Sequence, residues 1–148
     1  MKTFLFLKPD PSRGYSLLLL ALRVFFGLML MAHGLDKLSN YTELYFTFPD
    51  PIGIGKELTL ALVIFGELCC SLAFTLGFLY RLCMIPMIIV MSVAFFYIHG
   101  GSIPQGELSF IYLITFILLY ITGPGKYSVD AIIYKRIHKD EDEDNYDY

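Results

Sequence analysis

The stretch that decides the fold is YSLLLLALRVFFGLMLMAHG, residues 15–34. It carries a single formal charge, Arg23, in an otherwise apolar run. A transmembrane helix needs roughly 17–25 predominantly apolar residues, and this stretch meets that length. Its apolar positions do not alternate with polar ones, so it does not read as a barrel strand. Working outward, residues 58–80 (LTLALVIFGELCCSLAFTLGFLY) form a second such run. Residues 82–98 (LCMIPMIIVMSVAFFYI) are marginal in length, and residues 108–122 (LSFIYLITFILLYIT) are short until the flanks Glu107 and 123–125 are added. The pattern predicts an all-α integral membrane protein: a four-transmembrane-helix bundle with both termini cytoplasmic. Pro86 falls near the start of the third run, where a missing amide starts or slightly bends a helix rather than ending it.

Composition leads to the same class. The 148 residues are 56% hydrophobic and 17% charged, with a mean hydropathy of +0.61. Soluble chains carry about a quarter charged residues, so the apolar surplus needs a lipid bilayer as solvent. The net charge of −3 excludes general nucleic-acid binding. The chain divides into an N-terminal cytoplasmic segment (1–14), a transmembrane domain (15–134) and an acidic cytoplasmic tail (135–148) expected to be disordered. The apolar patch at 4–7 is too short for a secretory signal, so the first helix is expected to be retained. Cys69, Cys70 and Cys83 make no C-x-x-C pair and read as buried free thiols.

Orientation follows from Lys and Arg near the helix ends. One side gathers Lys2, Lys8, Arg13, Arg81, Lys126, Lys135, Arg136 and Lys139, and the other only Lys37 and Lys56. The positive-inside rule puts the richer side, and with it both termini, in the cytoplasm. The loop 35–57 and the Gly-rich loop 100–106 then face outward. Tyr41, Tyr45, Phe46 and Phe48 suit the first of these to the membrane interface.

Charges inside the apolar runs carry the functional signal. A lone charge at that depth costs at least about 2.5–3.5 kcal/mol. Counted from the edges of their runs, Arg23 and Glu67 reach similar depths on antiparallel helices, which predicts an ion pair between them. That pair either fixes helix packing or belongs to a proton or substrate path. A second cluster gathers at the outer end: His33, Asp36, Lys37, His99 and Glu107. His33 and Lys37 share a helix face, and Arg23, Gly27, Leu30, Gly34 and Lys37 fall along one stripe. Glu67, Ser71, Phe74 and Phe78 form a matching stripe on the second helix, with Arg81 near its cytoplasmic end. The histidines are expected to cap helix ends rather than bind a metal, because no local ligand spacing is present.

Three passages resemble the bacterial DoxX family: LRVFFGLMLMAHGLDKL at 22–38, GELCCSLAFTLGFLYR at 66–81, and VAFFYIHGG at 93–101 continued by GELSFIYLITFILLYITGPGKYSVD at 106–130. Their order and spacing carry the likeness across 22–130. It places Arg23, Gly34, Lys37, Glu67, Arg81, His99 and Glu107 at motif positions, with position carried over and not role. The resemblance implies a four-helix bundle of the bacterial cytoplasmic (inner) membrane and links to quinone-coupled redox work. It thus implies a redox-associated subunit or accessory, with a quinone as candidate cofactor. No soluble domain, outward cysteine pair, haem motif or iron–sulfur motif is visible, so a redox partner subunit would supply part of the chemistry. The alternatives are a small-molecule or ion transport component, expected as a homo-oligomer, and an assembly protein whose charges are structural.

Overall fold

The computed structural model describes residues 13–143 and is all-helical over them. Residues 1–12 of the N-terminal segment and 144–148 of the tail lie outside the described residues. Helix α1 is Arg13–Ser39 and is followed by the short α2, Tyr41–Thr47. Helix α3 spans Lys56–Leu76, α4 Tyr80–Ile98 and α5 Ile103–Thr122. Helix α6, Val129–Glu143, closes the described chain. The acidic stretch expected to be disordered is therefore helical through Glu143. The helix is started at Ser128, whose hydroxyl accepts the Ala131 amide at 3.1 Å.

Helices α1, α3, α4 and α5 are each long and apolar enough to cross a membrane, and 22–39% of each span is buried within the bundle. The remainder, including Leu17, Phe25, Leu72, Leu118 and Ile121, is an apolar outer surface. Only acyl chains can solvate such a surface without cost, so these helices contact the lipid bilayer.

Helix α1 buries Ser16, Leu19, Arg23, Gly27, Leu30 and Gly34. That is a three-and-four spacing, and it gives a narrow seam facing α3. Glycines set how close the helices come. A Cβ on Gly34 would lie 2.8 Å from the backbone of both Glu67 and Leu68, and one on Gly27 would strike the Thr75 hydroxyl. This close approach of small residues is how helices pack where lipid removes the hydrophobic drive between them. The core proper holds Phe74, Tyr80, Met84, Met87, Tyr112 and Phe116, drawn from α3, α4 and α5.

The α3–α4 hairpin is tight, as its short connection requires. Gly77 takes the left-handed conformation (φ 71°). The Phe78 amide reaches the Ala73 carbonyl at 2.9 Å and the Gly77 amide the Phe74 carbonyl at 3.0 Å, a Schellman ending. Leu79 is also left-handed (φ 45°), which is costly for a side chain with a Cβ. Asp130 holds it there: its two oxygens accept the Leu79 and Tyr80 amides, each at 2.9 Å. The Asp130 amide in turn donates to the Gly77 carbonyl at 2.9 Å. Burial pushes the Asp130 carboxyl above its usual range, against the pull of those amides and of Arg23. Pro86 lies in the second turn of α4 rather than at its start, because the helix begins at Tyr80, and α4 continues through it.

Candidate functional site

The two buried charges of the bundle do not meet. Arg23, 1% exposed, donates to the carbonyls of Pro124, of Thr75 at 3.0 Å and of Tyr127 at 3.0 Å. Its guanidinium also lies 6.0 Å from the centre of the Tyr80 ring. Glu67 pairs instead with Lys37, Nζ to Oε2 at 2.6 Å. The expected Arg23–Glu67 pair is thus replaced by two separate solutions, and helix geometry gives the reason. Helix α1 has 27 residues, or roughly 40 Å at 1.5 Å per residue, so it overshoots a core about 30 Å thick. Depth counted from the edge of the apolar run therefore misplaces Arg23. Gly34, not Arg23, lies level with Glu67, and Arg23 lies level with Gly77. From Arg23 to Gly34 is ~16 Å along the axis. Helical side chains also lean toward their own N-terminus. That carries Arg23 farther from Glu67 and brings Lys37 and Glu67 toward each other.

Around the Lys37–Glu67 pair, α1, α3, α4, α5 and the loop 48–54 enclose a pocket of about 320 Å³. His33 and Lys37 come from α1, Glu67 from α3, His99 from the end of α4, and Tyr112 and Ser109 from α5. The rest of the wall is mainly apolar, with Leu30, Leu62, Ile89 and Val90 from the helices and Phe48, Pro51, Ile52 and Ile54 from the loop. So the loop assigned to the interface also supplies one side of the pocket. Asp50 folds it. Its carboxylate accepts the Ile54 amide at 3.1 Å, the Gly55 amide at 2.7 Å and the Thr59 hydroxyl at 3.0 Å. Partial burial works to raise the Asp50 carboxyl, but these bonds and one from Gly53 outweigh it and hold the group below its usual range.

Two helices widen where they meet this pocket. Phe65–Cys70 in α3 is a π-turn containing Glu67, and Ala94–Ile98 ending α4 is another, directly before His99. Such turns are rare and are frequent at functional sites. The Ser71 hydroxyl donates back to the Glu67 carbonyl within the first of them. Gly106 interrupts α5 with φ −117° and ψ 28°, and a Cβ there would meet the His99 ring. This glycine therefore makes room for the histidine.

Tyr112 completes the wall. It is 2% exposed, and its hydroxyl has no hydrogen-bond partner among the described residues. Edge contacts fix its ring against Phe26 at 5.8 Å and His33 at 6.4 Å, with Phe116 tilted at 5.6 Å. A buried hydroxyl left unpaired costs about 1–3 kcal/mol.

Of the outer cluster, the pocket brings together Lys37, His33 and His99 with Glu67. Asp36 is exposed and accepts from Asn40 at 3.1 Å. Glu107 is exposed and off the pocket wall. Arg81 lies at the opposite end, 5.3 Å from the centre of the Tyr120 ring. Phe78 is 42% exposed, since Gly77 ends the helix that would have aligned it with Phe74. Tyr112, Thr59 and Asp50 are site residues that sequence reasoning missed. Of these, only Asp50 carried a signal, as an acid within the turn-rich FPDPIGIG.

Four membrane-crossing helices around a mainly apolar pocket with one ion pair define a multi-pass integral membrane protein. The DoxX family model matches residues 18–100, over half of the chain, and the protein belongs to that family. A Haemophilus influenzae protein described as uncharacterized is 30% identical over 131 residues, covering 82% of this chain and 87% of its own. No solved structure shows a significant match.

Proposed function

We propose that the protein binds a quinone or quinol in the Lys37–Glu67 pocket and serves as a redox-associated subunit or accessory of the bacterial inner membrane. The observation that carries this reading is the pocket: a mainly apolar slot with one ion pair and one buried, unpaired hydroxyl. A flat apolar ring with oxygen at its edge is the ligand such a lining suits. Its volume of about 320 Å³ lies at the low end of the ~300–1,000 Å³ typical of ligand pockets. That suits a head group rather than a long tail. Both termini are assigned to the cytoplasm, because Arg13, Arg81, Lys126, Lys135 and Arg136 outweigh Lys37 and Lys56. The pocket then lies in the outer half of the membrane. A partner subunit supplies the electron donor or acceptor.

The transport reading rests on a polar line running from Arg23 to the outer cluster. Buried Leu30, and Gly27 packed against Phe74 and Thr75, interrupt that line, which favours a binding pocket over a path. The assembly reading remains the rival if the pocket takes no ligand. The test is direct. Protein purified in native lipid is extracted and the extract analysed for quinone, and the thermal midpoint is followed as a short-chain alkyl benzoquinone is added. A quinone in the extract and a midpoint that rises with ligand are expected. Neither would be seen from a purely structural bundle.

A further inference from the structure

We infer that Tyr112 is the specificity-determining residue of this pocket, donating its hydroxyl to a neutral acceptor oxygen on the ligand. The inference rests on the ligand-pocket reading above and names the chemistry that the pocket selects. Three observations carry it. The residue is 2% exposed, lines the cavity, and has a hydroxyl with no partner among the described residues. The ring is clamped by Phe26, His33 and Phe116, so the hydroxyl cannot swing to another acceptor without breaking those contacts. Phenylalanine would pack as well at this position and would bury no orphan group. The oxygen therefore serves something besides packing.

The neighbouring charges define the kind of acceptor. Lys37 and Glu67 neutralise each other at 2.6 Å, so the pair offers no net charge to an anion or a cation. A ketone-type oxygen conjugated to an apolar ring fits both the fixed donor and the uncharged setting. A pocket built to hydrogen-bond an oxygen discriminates sharply against an analogue that lacks it, because its own polar group is then left unpaired.

The experiment compares wild type and Tyr112→Phe in lipid nanodiscs with two probes, a short-chain alkyl benzoquinone and an alkylbenzene of the same shape. The wild type is expected to bind the quinone about tenfold more tightly than the hydrocarbon, the equivalent of one hydrogen bond. Tyr112→Phe is expected to bind both alike, with an unchanged or higher thermal midpoint in the absence of ligand. If the wild type binds neither probe, the ligand-pocket reading itself fails. If the variant keeps the preference for quinone, the pocket stands and the role of Tyr112 falls. A clear drop in the ligand-free midpoint would also overturn it, by showing the hydroxyl to be satisfied within the protein.

Discussion

The two ends of the bundle handle a buried charge in opposite ways. At the Arg23 end three carbonyls accept from the two terminal nitrogens of the guanidinium and Tyr80 lies beside it, while its Nε has no partner among the described residues. Those carbonyls come from the last turn of α3 and from the segment joining α5 to α6, so one side chain ties three parts of the chain together. At the Lys37 end a single ion pair borders an open cavity, and a hydroxyl nearby is unpaired. The first arrangement uses the carbonyls around the charge and leaves, among the described residues, no cavity beside it for a ligand to enter. The second keeps both a cavity and a free hydroxyl in reserve. A charge inside a membrane is thus not by itself a sign of a binding site, and what distinguishes the two ends is whether its neighbours are already satisfied.

The largest effect should come from breaking the closed end. Arg23→Ala removes the donors that serve the Pro124, Thr75 and Tyr127 carbonyls, and leaves those acceptors buried. Hydrogen bonds to charged groups contribute about 1.5–3 kcal/mol each, and they are not additive. A loss of at least about 3 kcal/mol is expected, read as a lower midpoint of thermal unfolding in detergent. Arg23→Lys should recover less than half of it, since an ammonium cannot fork to three separated carbonyls. The fraction that stays folded should bind the benzoquinone within about twofold of wild type. A collapse of binding at unchanged stability would instead join the two ends into one site.

Breaking the open end should cost less stability and more binding. Glu67→Gln leaves Lys37 without its counter-charge, but the Lys37 side chain is 25% exposed and can turn its ammonium toward water. A destabilisation of about 1–3 kcal/mol is therefore expected. The double variant Lys37→Met with Glu67→Leu should restore stability to near or above wild type, because replacing a buried pair by packed apolar groups is often neutral or better. Quinone binding should stay impaired in it. Full binding by the double variant would show the pair to be a packing device like Arg23.

How far each end could be read from the chain differs for the same reason. The four spans, the α1 stripe and the placing of His33, Lys37 and His99 at one end of the bundle follow from apolar length and helical spacing, which are local properties. The partners of Arg23 do not. They are backbone carbonyls about fifty and a hundred residues away, and a carbonyl has no signature in a sequence. Asp130 is obscure in the same way, since its partners are the amides of Leu79 and Tyr80. The pairing of Glu67 was misjudged because run edges do not mark where α1 begins and ends in the bundle. Tyr112 was hidden among 24 phenylalanines and tyrosines (13 and 11), most of them expected to face lipid. Only its burial and its unpaired oxygen set it apart.

The smallest effect expected belongs to the rim of the pocket, where Asp50 holds the loop 48–54 in place. Its carboxyl sits below the ordinary value of about 3.9, because hydrogen bonds from Gly55, Thr59, Ile54 and Gly53 outweigh its partial burial. A depressed folded-state value contributes stability that is present above the unfolded value and is lost as pH falls through the folded one. The loop should therefore be indifferent to pH between neutrality and about 5, and should loosen below about 4. Hydrogen exchange at the Ile54 and Gly55 amides, followed across that range, reads the change directly. Asp50→Asn should exchange faster at pH 7 and show little further dependence on acid. Because Ile52 and Ile54 line the cavity, the same variant should weaken quinone binding by less than about threefold while leaving the Arg23 end untouched. Were the amides equally protected in wild type and Asp50→Asn, the loop would be held by its apolar contacts with α3 and α4. The open end would then be stiffer than its unsatisfied groups imply.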